Sequence, residues 1–250
     1  MAEAQDHSFV DELDAEHDDL EALLGTLGAD EWLVDTPAAG WTVRDSMSHL
    51  ADTEDIARHT STGGPRALAL ESQRTGNVIQ SGVDKGRAMS GDEVREWFGA
   101  AAAYNRAALR RVDLGLRVPW GLGMSWRTFV TARMMEAWAH GLDVRAAVGR
   151  PGVDTDRLRH IAWLSTSSLP YAFRVAGVDA PEGHTLRLEL EGPSGDVWRL
   201  GPDDATDVVR GPAGVWCRRA VQRMSPEEAD AIERDGPLAE LAFRNARCFL

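Results

Sequence analysis

Glu136 and His140 stand four residues apart in Glu-Ala-Trp-Ala-His, inside a long segment patterned as a helix. Residues at i and i+4 share one helix face, so a carboxylate and an imidazole there aim at one point. His49 lies in a second helical segment, Ser-Met-Ser-His-Leu-Ala-Asp. A histidine from a neighbouring helix makes three N/O donors. Three donors with a fourth position open is how a catalytic zinc site is built, whereas a structural site is closed by four. Taken singly, each residue has a plainer reading. A lone histidine on a half-apolar face is more often a core residue, and a Glu with a His at i+4 is commonly a surface pair. Context favours the site: Glu136 lies beside Met134, Met135 and Trp138, and ionisable groups facing a bundle core are costly unless paired or metal-bound. Only two cysteines occur, Cys217 and Cys248, so a metal must be held by His and carboxylate. The expectation is a metal-dependent enzyme with its site inside a helix bundle.

The elements that must position these residues follow from periodicity. Phe9, Leu13, Leu20, Leu23, Leu24 and Leu27 recur at three- and four-residue spacings and predict a helix over 8–28. A loop over 29–41 ends in Ala-Ala-Gly-Trp. Thr42-Val-Arg-Asp45 resembles a capping box and starts a second helix, running to about His59. The stretch 61–88 carries Gly76, Gly82 and Gly86 and reads as a long, partly helical connection of the kind that often forms a lid. Ser90-Gly-Asp-Glu93 caps a third helix over 91–112. A glycine-rich loop, Pro119 to Met124, precedes Ser125, which caps a fourth helix to Val148, stopped by Gly149 with Pro151 beyond. Four such helices predict an antiparallel bundle over 1–150.

After Pro151 the character changes. A helix over 155–170 precedes Thr185–Glu191, which alternates apolar and polar as a half-buried strand does. Gly192-Pro-Ser-Gly195 is a turn, Asp196–Leu200 a second strand and Ala205–Arg210 a third. Helical stretches at 213–224 and 237–248 complete a small α+β domain over 151–250. The fold class is mainly α with α+β.

Composition bounds the function. The 250 residues hold 27 Lys plus Arg against 40 Asp plus Glu, a net charge of −13. That excess of acid argues against nucleic acid or an anionic membrane as partner. No apolar run approaches the ~20 residues needed to span a bilayer. The N-terminus lacks the basic and apolar regions of a signal peptide, so the expected location is cytoplasmic, with both thiols reduced.

The residues carry a family resemblance. Trp41-Thr-Val-Arg-Asp45 followed by Ser48-His49-Leu50-Ala51 resembles the second-helix signature of DinB-like metal-binding four-helix bundles. More narrowly, it is similar to that of the mycothiol-dependent maleylpyruvate isomerase family of actinobacteria. Glu136-Ala-Trp-Ala-His140-Gly-Leu-Asp143-Val144, followed by Gly149-Arg-Pro151, resembles that family's last bundle helix. Val209-Arg-Gly-Pro-Ala213 and Trp216 to Arg223 resemble its smaller α+β domain. The resemblance implies a triad of His49, Glu136 and His140, a divalent metal (zinc by default, with Fe, Ni and Mn compatible) and mycothiol as thiol cosubstrate. It also implies a small-molecule electrophile as the second partner. In that family the thiolate adds to an activated alkene, rotation about a single bond follows, and elimination returns the other isomer. The same apparatus serves S-transfer to another electrophile. A hydrolase using bound water, and a non-catalytic binding protein, remain open as alternatives, as do monomer and homodimer.

Further candidates surround the triad. Asp143, one turn beyond His140, is placed to orient an imidazole, and Asp52, one turn after His49, carries a weaker version of that role. Each also reads simply as a helix acid. Arg219 and Arg223, four apart, suit a carboxylate or cofactor, against a solvated basic face as the plainer reading. Trp120 and Trp126 flank the loop before the fourth helix and are read as pocket walls or core. His59, His160 and His184 fit no ligand spacing.

Overall fold

The computed structural model describes residues 6–248. They divide into two compact units, one up to Gly152 and the other from Val153. Four long helices build the first: α1 (Val10–Leu24), α2 (Val43–Thr62), α5 (Gly91–Leu109) and α6 (Trp126–Ala147). α2 packs against both α5 and α6, and α1 closes the group against the same two helices. Two further helices, α3 (Leu68–Thr75) and α4 (Val78–Arg87), occupy the long connection and lie on α2. The expected glycine-rich loop is the turn of a two-strand hairpin, β1 (Arg117–Val118) with β2 (Met124–Ser125).

Helix ends follow local chemistry. The Thr42 hydroxyl accepts from the Asp45 N–H at 3.2 Å, and Asp45 Oδ2 accepts from the Thr42 N–H at 3.1 Å. This is the reciprocal capping box read from the sequence. Ser90 with Glu93 repeats it for α5, and Ser125 accepts from the Thr128 N–H for α6. α1 is shorter than expected, because the Thr26 hydroxyl and N–H both take the Leu23 carbonyl and turn the chain before residue 28. A 3₁₀ turn over Ala29–Leu33 then seats Trp32 in the core.

The first unit's interior has two apolar clusters. One gathers Leu20, Leu24, Trp32, Met47, Leu50 and Phe98. The other gathers Leu13, Ala57, Leu109, Phe129, Val130 and Met134. Buried polar residues, among them His17, Glu54 and Asn105, lie between them along the helices.

The second unit holds α7 (Leu158–Ser167), α8 (Leu169–Ala176), α9 (Ala213–Ala220) and α10 (Pro237–Asn245). Its four strands are β3 (Leu186–Glu191), β4 (Val197–Leu200), β5 (Asp207–Pro212) and β6 (Glu233–Asp235), in the order β4-β3-β5-β6. β3 and β5 run parallel, and the other pairs are antiparallel. The single helix expected over 155–170 is two helices. Pro170 has no N–H to continue the ladder and sits in the first turn of α8. β6 has no sequence signal, being three exposed residues without alternation.

Candidate metal centre

α2 and α6 bring the triad together. His49 Nε2 lies 3.7 Å from Glu136 Oε2, and His140 Nε2 lies 3.7 Å from the same oxygen. One donor atom from each of the three residues falls within 4.8 Å of the others. α2 is covered on several sides by α4, α5 and α6, so His49 is buried although its helix carries many polar residues. Glu136 keeps a modest opening, its side chain 20% exposed.

The spacing discriminates between uses. A direct N–H···O bond is 2.7–3.2 Å, shorter than these contacts. Two donors each ~2.1 Å from a common ion, at a tetrahedral angle, lie about 3.4 Å apart. The donor set therefore fits a shared divalent cation better than a closed hydrogen-bonded cluster. The second nitrogen of His140, Nδ1, faces Asp143 Oδ2 at 3.3 Å, and Asp143 is buried. A carboxylate behind a ligating imidazole fixes its tautomer and leaves the opposite lone pair for the ligand.

The electrostatics are matched to this arrangement. Burial pushes the Glu136 carboxyl up, but the two imidazoles and Arg133 outweigh it and hold the group well below the usual carboxylate range. Burial also opposes charge on His140, yet Asp143 and Glu136 together raise its pKa. His49 goes the other way, because burial dominates and lowers it. The shifts thus favour an ionised Glu136, a neutral His49 and a His140 that holds its proton more readily than a free imidazole.

Trp41 packs against both imidazoles of the triad. Its ring lies 5.9 Å from His140, interplanar angle 23°, and 5.1 Å from His49, centroid to centroid. The tryptophan is aimed by a tight turn: its N–H donates to the Ala38 carbonyl and its carbonyl accepts from the Thr36 N–H. Gly40 supplies the left-handed φ of 79° that this turn requires.

Other candidates are placed differently. Asp52 does not serve His49. Its Oδ1 accepts from Arg66 Nη2 at 2.8 Å, and the arginine also binds Asp55 and Glu71 and so ties the α3 region to α2. Arg219 and Arg223 do not form a basic helix face. α9 ends at Ala220, and Gln222 turns at φ 59°. Arg219 is buried and donates to the Arg244 carbonyl at 2.5 Å, while Arg223 donates to the Val221 carbonyl. Trp126 is core and donates to the Leu109 carbonyl. Trp120 packs on Phe129 and receives the Arg133 guanidinium on its face at 4.8 Å. Arg133 and Glu54, both deeply buried near the triad, carry no sequence signal: each reads as an ordinary charge on an amphipathic helix.

The mycothiol maleylpyruvate isomerase N-terminal domain matches residues 13–145. An uncharacterized protein of Mycobacterium tuberculosis, found in two strains, is 36% identical over 233 residues, covering 91% of this chain and 90% of the relative. The crystal structure of the mycothiol-dependent maleylpyruvate isomerase has the same fold, with a TM-score of 0.60 at 18% identity over 92% of this chain and 94% of that one. A histidine-to-alanine variant of that enzyme matches with a TM-score of 0.58, at the same identity and coverage.

Proposed function

The chain belongs to the mycothiol maleylpyruvate isomerase family, and from that premise we propose that it is a metal-dependent enzyme using a mycothiol-like thiol on an electrophilic small molecule. The reaction class is cis–trans isomerisation or S-transfer. The observation that carries this reading is the convergence of His49, Glu136 and His140 from two helices at a spacing too long for hydrogen bonds. His49 and His140 through Nε2, and Glu136 through its carboxylate, would hold a divalent cation, zinc by donor type, with a position left open. A dication there supplies Lewis acidity, which brings a thiol's pKa down from ~8.5 toward neutrality.

The chain's own residues prepare that position. Asp143 keeps a proton on His140 Nδ1, so Nε2 presents its lone pair. Glu136 stays ionised and faces both imidazoles. Trp41 covers the imidazole pair and excludes water from that side, which strengthens every charge interaction beneath it.

Metal content of untagged protein tests the reading, comparing wild type with His49→Ala and Glu136→Ala. About one equivalent per chain, lost in both variants, together with turnover of a maleylpyruvate-type substrate or an electrophile only when thiol is added, supports it. Wild-type protein that takes up no metal on reconstitution overturns it, and thiol-independent hydrolysis would replace it with a hydrolase.

A further inference from the structure

Between the two apolar clusters each long helix of the first unit contributes one polar side chain to a single layer. His17 comes from α1, Glu54 from α2, Asn105 from α5 and Arg133 from α6, and none is more than 2% exposed. Asn105 Nδ2 donates to Glu54 Oε2 at 2.6 Å. Glu54 Oε1 stands 3.7 Å from Arg133 Nη1 and 3.8 Å from His17 Nε2, beyond hydrogen-bond reach. Arg106 Nη1 sits on His17 Nδ1 at 2.8 Å, and burial pushes His17 down to about 3, which leaves it neutral. Within the layer Arg133 and Glu54 meet without a good bond, and burial pushes the Glu54 carboxyl up against the pull of Arg133, Asn105 and Arg106.

Burying such a pair costs more in desolvation than a loosely matched contact returns, and apolar residues of similar volume would pack as well. Its position gives a reason to keep it. Arg133 precedes Glu136 by three residues, so the two are neighbours on one face of α6. From the triad inward the groups alternate in kind: the Glu136 carboxyl, the Arg133 guanidinium that helps hold it ionised, and the Glu54 carboxyl, whose ionised form Arg133 favours.

We propose that Arg133 and Glu54 are positioning residues that set the triad's affinity for a dication, Arg133 tempering it and Glu54 offsetting Arg133. This rests on the metal reading above. A cation behind Glu136 draws on the carboxylate that a metal would share and repels the metal itself. Glu54 cancels part of that field, with Asn105 holding it in place.

Zinc affinity of the full chain, measured by competition with a chromophoric chelator, tests the pair, with circular dichroism to confirm the fold. Arg133→Met removes a cation and is expected to tighten binding about tenfold or more. Glu54→Gln leaves Arg133 uncompensated and is expected to weaken binding by a similar factor. The double variant returns close to wild type. Arg133→Gln, which also removes the charge, carries the same expectation if the methionine variant does not fold, and Arg133→Lys, which keeps the charge, is expected to keep wild-type affinity. Loss of affinity in both single variants, or no change in either, overturns the inference and leaves the metal site standing. Wild-type protein that binds no zinc overturns both, and that result appears before any variant is made.

Discussion

Asp143 Oδ2 stands 3.3 Å from His140 Nδ1, and the orienting role proposed for it is readable at a single residue. On the proposed reading the carboxylate favours the tautomer protonated at Nδ1. Asp143→Ala is expected to weaken metal binding about 10- to 100-fold with the helix content of the protein unchanged. An unaltered affinity in that variant would remove Asp143 from the site. The spacings of Glu136, His140 and Asp143 were legible in the sequence, because a helix repeats every 3.6 residues and the geometry within one turn is local. Trp41 and Asp52 were not legible as partners. Trp41 reaches both imidazoles from a separate turn, and Asp52 is drawn away from His49 by Arg66, which arrives from the connection beyond α2.

The connection between α2 and α5 matters at the scale of elements. α4 meets α2 so closely that two glycines, Gly82 and Gly86, replace side chains at the contact. A Cβ on Gly86 would fall 1.7 Å from Ser48 Oγ, and one on Gly82 would fall 2.7 Å from Asp52 Cβ. Ser48 flanks His49 directly, so α4 supports the helix that carries this histidine. Gly86→Ala is expected to destabilise the protein by about 1–3 kcal/mol, the usual cost of overpacking. Adding Ser48→Gly removes the clash and should recover part of that loss. Denaturant midpoints of the two single variants and the double measure the coupling, and additive losses would show that the contact is not the cause. The sequence showed the glycines but placed them in a lid-like connection; their four-residue spacing is a helix-packing device only once the facing helix is known.

The whole molecule consists of two compact units, and the second has its own internal lock. Asp207, at the start of β5, is buried. Its Oδ1 lies 2.6 Å from His184 Nδ1 and accepts from the Thr206 hydroxyl, and its Oδ2 accepts from the Leu238 N–H at 2.6 Å. Burial alone would raise this carboxyl, but His184, Thr206 and the backbone N–H outweigh it and hold its pKa below the ordinary value. A depressed carboxyl contributes stability that is fully present above the unfolded-state pKa of ~3.9 and is lost as pH falls through the folded value. Asp207→Asn should therefore cost about 2 kcal/mol near neutrality, and the gap to wild type should close below about pH 4. Metal content should be unchanged, since the triad belongs to the first unit. A gap that persists at low pH would show that shape rather than charge matters at this position.

Local signals determined much of this protein from sequence alone. The capping residues Thr42, Ser90 and Ser125, the helical period of α6 and the alternation of β3 act within a few residues, so the chain writes them plainly. The change of character after Pro151 and the triad candidates were legible for the same reason. Other features depend on which surfaces meet. The break at Pro170 and the end of α9 lie where local stop signals compete with a continuing helical pattern. The pairing of Arg66 with Asp52, the aim of Trp41 and the layer of His17, Glu54, Asn105 and Arg133 each join residues from different elements. A buried charge and an exposed one have the same sequence. Only the tertiary structure decided that Glu54 and Arg133 face inward, because burial is a property of what packs over a residue and not of the residue itself.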